Sequence, residues 1–330
     1  MAIIAEVRRG GHVESVHAGS FVVTDAEGRV VLSAGDVERA VFPRSAIKAL
    51  QALPLLAGGA ADRFGLSGAE LALACASHSG TPAHTEVAAG MLAKAGQDVG
   101  CLECGVHWPS SSSAARALAE GGGVASALHN NCSGKHAGFV CSAVAAGVDS
   151  AGYVGPDHPV MRVVTAAVAE VTGARLDARN RGVDGCSIPT YMMPLRAVAA
   201  GFARFGTGVH LPAEFAAAAV RLRAAVAANP VMVAGAGRFD TEIMGALGDA
   251  AFVKTGAEGV HAGALPGLSL GFAIKADDGG NRAADACAAA VLRYFLGASP
   301  VVEKWAAQKL VNWNGIEVGE VRATLGRSDA

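Results

Sequence analysis

The chain has 330 residues, 52% of them hydrophobic and 17% charged, enough apolar content to bury a core that offsets ordering entropy, which excludes an intrinsically disordered chain. A formal net charge of -2 provides no basic field for a nucleic-acid backbone or an anionic membrane. Uncharged apolar runs such as Ala137 to Val148 and Gly263 to Ile274 fall short of the roughly 18 apolar residues a membrane span needs.

In chain order, the opening MAIIAEVRRGGHVE has Glu6 within its apolar run and Arg8 and Arg9 after it. That is not the pattern of a secretory signal, and a cytoplasmic protein is expected. The segments IIAEVRR, HVESVHAG and FVVTDAEGRVVLS read as strands, with Asp25, Glu27 and Gly28 supplying a turn, and predict a β-meander. From Phe42 to about Phe205 the signals are helical. Ser67-x-x-Glu70 is a capping box before LALACA, Thr81-Pro82 caps a helix that ends at Gly96, and Ser110 to Ser113 cap one through Arg116 and Leu118. A further helix runs from Pro159 to Val171, and Pro212 opens an Ala-rich one that ends near Asn229-Pro230. After Ala250, AFVKTG, EGVHAG and LSLGFAIKA read as strands, followed by a last long helix from about Arg282 to Phe295.

This order predicts an α+β fold: one antiparallel sheet built from N- and C-terminal strands, flanked by helices, with a helical lobe inserted. The chain is expected to be a single domain over 1–330, its β-rich lobe about 1–41 plus 250–330 and its helical lobe about 42–249. A cleft between the lobes is the expected place for a small-molecule site.

Several patterns carry little. An odd count of seven cysteines in a chain without a signal-like start reads as reduced thiols for packing or metal. Cys101-x-x-Cys104 has no second pair to complete four zinc ligands. Gly121 to Gly123 lacks the Lys-Ser/Thr of a phosphate loop. The residues His84, His107, His129, His158, His210 and His261 show no triad or H-x-x-x-H spacing.

The lysines are more informative. Only seven stand among 27 Lys plus Arg residues, and a buried lysine can give up its proton where arginine cannot. In FPRSAIKAL, Pro43 suits a helix start and places Ser45 and Lys48 three apart on one face, an S-x-x-K pattern in which a neutral amine can take the hydroxyl proton. The alternative is an exposed Ser and Lys on an amphipathic helix. Val253-Lys254-Thr255-Gly256 is a K-T-G on a predicted strand, and between the two lies Cys75-Ala76-Ser77-His78-Ser79-Gly80, a turn serine past a helix end. That order is the one used by penicillin-recognising enzymes and class A β-lactamases, although the turn here reads S-H-S where theirs reads S-D-N. Finally, Cys132 and Lys135 of NNCSGKHAG, with Cys186 of VDGCSIP, offer two soft thiolates and an amine for zinc, or else are buried free cysteines.

The blocks FPRSAIKALQALP, ALACASHSGTPAH, HNNCSGKHAGF, GVDGCSIPTYMMPL and VKTGAEGV together resemble the bacterial type II L-asparaginase family of the Rhizobium kind, related in fold to serine β-lactamases. The resemblance implies hydrolysis of L-asparagine to L-aspartate and ammonia at two Ser-Lys pairs, Ser45 with Lys48 and Ser77 with Lys254. It implies a Zn2+ ion held by the residues matching Cys132, Lys135 and Cys186, with His136 and Asp184 orienting substrate or ligands, and a homodimer. Arg44, beside the first serine, is a candidate partner for a substrate carboxylate. Rival readings are a glutaminase or other amidohydrolase on the same scaffold, since the two amides differ by one methylene, and a non-catalytic amino-acid-binding protein.

Overall fold

The computed structural model describes residues 2–325. Eight strands form one antiparallel sheet in the order Ala307–Val311, Glu317–Ala323, Ala2–Arg9, His12–Thr24, Leu270–Ala276, Val260–Leu265 and Phe252–Thr255, with Val30–Ala34 beside this path on His12–Thr24. Chain start and chain end are joined directly, Ala5 opposite Ala323 and Val7 opposite Val321. The predicted strands HVESVHAG and FVVT are one long strand, residues 12–19 pairing with Ala2–Arg9 and residues 19–24 with Leu270–Ala276. Its turn closes through Gly28 N–H to Asp25 O at 3.1 Å, with Gly28 at φ +81°, a conformation glycine adopts without steric cost.

The central strands are buried on both faces: residues 19–24, Val260–Leu265 and nearly all of Leu270–Ala276 are out of solvent. Such continuous burial means helices cover both sides. Helix Leu195–Thr207 packs on Leu270–Ala276 and Val260–Leu265, and helix Asn281–Leu296 packs on Ala2–Arg9, Leu270–Ala276 and Glu317–Ala323. Gly271 permits the first contact, because a Cβ there would stand 2.2 Å from Ala199 O and 2.3 Å from Ala203 N. Phe202, Phe205 and Phe252 close this layer with ring centroids 5.1–6.0 Å apart.

The middle of the chain is helical as expected. Helix Lys48–Ala57 is apolar around nearly its whole circumference and runs through the centre, against helices Ser133–Ala146, Pro159–Thr172 and Ala213–Ala228. The capping box at Ser67 and Glu70 is formed in both directions. Helix Pro300–Ala306 and strands Ala307–Val311 and Glu317–Ala323 were not among the expected elements. These strands are half exposed, so they lack the apolar run that marks a buried strand. No helix among the described residues is long and apolar enough to cross a membrane.

Candidate active site

Ser45 does not sit in an α-helix. It occupies the 3-10 turn Arg44–Ile47 ahead of helix Lys48–Ala57, and Lys48 N–H donates to Ser45 O. A 3-10 turn stacks residues i and i+3, which keeps Ser45 over Lys48. The turn is entered through Arg44 at φ +50°, an uncommon conformation for a residue with a Cβ. Two contacts hold it there. Arg44 Nε donates to Asp184 Oδ1 at 2.7 Å. Gly256, of K-T-G, lies so close that a Cβ on it would be 3.0 Å from Pro43 O and 3.1 Å from Ala46 N. The end of strand Phe252–Thr255 is therefore brought against the Ser45 turn.

Lys48 is 1% exposed. Its Nζ donates to Ala76 O at 2.6 Å and to Cys132 Sγ at 3.1 Å, and no hydrogen bond joins it to Ser45 Oγ. One amine thus links the S-x-x-K motif, the Cys75–Gly80 turn and the cysteine cluster. In that cluster Lys135 Nζ donates to Cys186 Sγ at 3.1 Å, and Asn131 Oδ1 lies 3.0 Å from Cys132 Sγ. A hydrogen bond from the Cys186 thiol, together with Lys48 and Lys135, holds Cys132 well below the usual thiol range against the opposing effect of burial. The same bond and burial push Cys186 up. Burial disfavours the Lys135 ammonium, but the charges of Cys186, Cys132 and Asp184 outweigh it and raise Lys135.

The second serine, Ser77, follows helix Gly68–Ala74, its N–H donating to Val233 O at 2.9 Å. Its Oγ is buried with no partner, which leaves it free for an incoming group. Beneath it, Gly80 N–H donates to His78 Nδ1 at 3.1 Å, so Nε2 carries the proton and donates to Ser133 Oγ at 2.9 Å. Burial, His84 and Lys48 hold His78 well below the usual histidine range, a neutral brace for the turn. Lys254 is fully buried and donates to Thr255 O at 2.7 Å and Asp240 Oδ2 at 3.2 Å; it has no hydrogen bond to Ser77.

Asp184 lies near Lys135 and bonds Arg44 and Gly185 N–H. Burial works against its charge, yet Lys135 and Arg44 hold it below the ordinary carboxylate range. His136 Nδ1 meets Tyr153 Oη at 2.6 Å, while Nε2 is buried without a partner. The residue that sequence reasoning missed is Asp240. Asp240 is an acid in the first turn of helix Phe239–Leu247, a position that reads as an ordinary complement to the helix dipole.

Among the described residues there is no group of three or more His, Cys, Asp and Glu side chains able to hold a metal. The third donor of the candidate set is a lysine. Two sulfurs and one amine, all buried, with Lys135 bonded to Cys186, suit a soft or borderline divalent ion such as zinc, with a fourth position left to water or substrate. A separate apolar cavity of about 210 Å³ between helices Lys48–Ala57, Ser133–Ala146 and Pro159–Thr172 meets this cluster only through Lys135.

Two serine motifs joined by the buried Lys48, with Lys254 buried at the K-T-G strand, form a constellation suited to acyl transfer from an amide. In agreement, the L-asparaginase II family matches residues 5–323, and the chain belongs to that family: it is a hydrolase acting on the asparagine amide. No curated protein matches it.

Proposed function

We propose that the chain is an L-asparaginase that releases L-aspartate and ammonia through two cooperating Ser-Lys pairs, Ser45 with Lys48 and Ser77 with Lys254. The observation that carries this reading is the position of Lys48 Nζ, 2.6 Å from the carbonyl of Ala76, next to Ser77, and 3.1 Å from Cys132 Sγ. One buried amine is thereby shared by both serine motifs and the cysteine cluster.

In the reaction, Lys48 takes the Ser45 hydroxyl proton as Oγ attacks the side-chain amide carbon. Backbone N–H groups stabilise the oxyanion. The C–N bond breaks, the leaving nitrogen takes a proton through Ser77, and ammonia departs from a Ser45 acyl ester. Water then adds to the ester, its proton passing back through Ser77 to Lys254, while Lys48 returns its proton to Ser45 Oγ and aspartate leaves. Arg44 and Asp184, already paired, carry opposite charges toward the substrate's α-carboxylate and α-amino groups. His136 supports the helix start through Tyr153.

Cys132, Lys135 and Cys186 would hold a zinc ion, whose chemistry is a fixed positive charge that anchors and polarises an oxygen or nitrogen donor. The reading also includes a homodimer in the cytoplasm. The test is ammonia release from L-asparagine and L-glutamine by wild type, Ser45→Ala and Ser77→Ala. Turnover of asparagine that is lost in both variants supports the paired mechanism. Near-wild-type turnover in Ser45→Ala transfers the nucleophile to Ser77.

A further inference from the structure

Behind Lys254 lies a buried polar cluster that no motif announces. The Asp240 carboxylate accepts from Thr255 N–H at 3.0 and 3.1 Å, from Thr255 Oγ1 at 2.6 Å and from Lys254 Nζ at 3.2 Å. Its side chain is 1% exposed and that of Lys254 is 0%. His261 Nε2, on strand Val260–Leu265, stands 2.9 Å from Thr255 Oγ1 and 3.1 Å from Asp285 Oδ1 of helix Asn281–Leu296. It is 4.0 Å from Asp240 Oδ1. Two helices and two strands thus converge on one carboxylate.

Lys254 faces a buried carboxylate that favours its charged form. With bonds to Asp240 and Thr255 O, Lys254 commits two of its three ammonium hydrogens, and Ser77 Oγ is a buried hydroxyl with no partner. We propose that Asp240 is a positioning residue that favours the ammonium form of Lys254 and fixes its remaining N–H for Ser77, so that Lys254 is the acid of the reaction.

This rests on Ser77 and Lys254 acting as a pair. The steps balance. On acylation Lys48 gains the Ser45 proton, while Lys254 gives one to Ser77 Oγ as the Ser77 hydroxyl proton moves to the leaving nitrogen. On deacylation Lys254 recovers a proton from the attacking water through Ser77, and Lys48 protonates Ser45 Oγ. The Asp240 charge assists that recovery.

Burial, with Lys48 and Arg238, lowers Lys254 below the usual lysine range, and the Asp240 charge opposes that fall. Burial likewise disfavours the Asp240 charge, and Lys254, His261 and the Thr255 bonds overcome it. Asp285 faces His261, and Glu242 on the same helix as Asp240 turns away to Lys304 and Trp305.

The experiment measures ammonia release from L-asparagine against pH for the full-length wild type, Asp240→Asn and Lys254→Met. Asp240→Asn keeps the shape and removes the charge. We expect kcat to fall about tenfold or more with KM within about threefold, and the basic limb of the kcat profile to move to lower pH, because the ammonium is lost sooner. A folded Asp240→Asn with wild-type kcat and limb overturns the proposal. Wild-type turnover by Lys254→Met overturns the Ser77–Lys254 reading itself, whereas an inactive Lys254→Met beside an unaltered Asp240→Asn overturns only the role of Asp240. If Asp240→Asn does not fold, Thr255→Val, which removes one bond to the same carboxylate, carries the test: a smaller fall in kcat with the same shift of the limb supports the proposal, and no change in either overturns it.

Discussion

Arg44 carries the backbone strain of the site. A left-handed residue with a Cβ costs about 1–2 kcal/mol, and the 2.7 Å bond to Asp184 together with the wall formed by Gly256 offsets that cost. Two variants separate strain from charge. Arg44→Ala and Arg44→Gly both remove the ion pair, but only glycine relieves the φ of +50°. Arg44→Gly is therefore expected to be the more stable by about 1 kcal/mol, measured by chemical denaturation, with both showing a raised KM for asparagine. The proposed zinc ligands make a different prediction. Cys132 and Cys186 lie on separate segments, so a metal joining them adds its binding free energy to folding. Chelation is expected to lower the melting temperature, and Cys132→Ala to lose both its zinc content and its response to chelator. An unchanged melting temperature in a chelated, metal-free sample would remove the structural role.

Among the elements, the contact between helix Leu195–Thr207 and strand Leu270–Ala276 is the tightest, since the helix backbone touches the position a Gly271 side chain would fill. Gly271→Ala is expected to destabilise by about 1–3 kcal/mol or more, because backbone rather than a flexible side chain must yield; thermal melting checks this. Helix Gly68–Ala74 depends on electrostatics as well. Burial opposes the Glu70 charge, yet bonds from Lys94 and from Ser67 hold its carboxyl below the usual 4.5. A depressed carboxylate stabilises the fold above its unfolded value and loses that contribution as pH falls through the folded one. The stability of wild type is therefore expected to exceed that of Glu70→Gln near neutral pH by about 1 kcal/mol, a margin that shrinks as the pH is taken below 4.5. Equal margins at both pH values would contradict this.

At the scale of the molecule, the sheet joins the two ends of the chain. Strand Ala2–Arg9 is covered by Glu317–Ala323, which is covered in turn by Ala307–Val311. Ending the chain before residue 307 would leave Ala2–Arg9 as an open edge with Val7 and Ala5 uncovered. Such a truncation is expected to melt at lower temperature and to self-associate, visible in size-exclusion chromatography. The long-range pairing explains a site assembled from residues 44–48, 75–80, 132–136, 184–188 and 240–255. Strand Phe252–Thr255 presses against the Ser45 turn only because the rest of the sheet positions it there.

Local chemistry was open to reading from the amino-acid sequence alone. The capping box at Ser67, the strand patterns from Ile3 to Ser33 and from Phe252 to Ala276, and the S-x-x-K and K-T-G spacings all depend on neighbours a few residues away. The same reasoning placed Ser45 in an α-helix, because nothing local marks Arg44 as left-handed. It overlooked the last two strands, whose half-exposed sides lack an apolar signature. It was silent on Asp240, 14 and 15 residues before the lysine and threonine it binds and indistinguishable in sequence from any acid at a helix start. Which proton sits on which buried lysine or thiol was decided by tertiary structure. Burial costs and charge partners come from segments far apart in the chain, and their balance exists only once those segments are packed together.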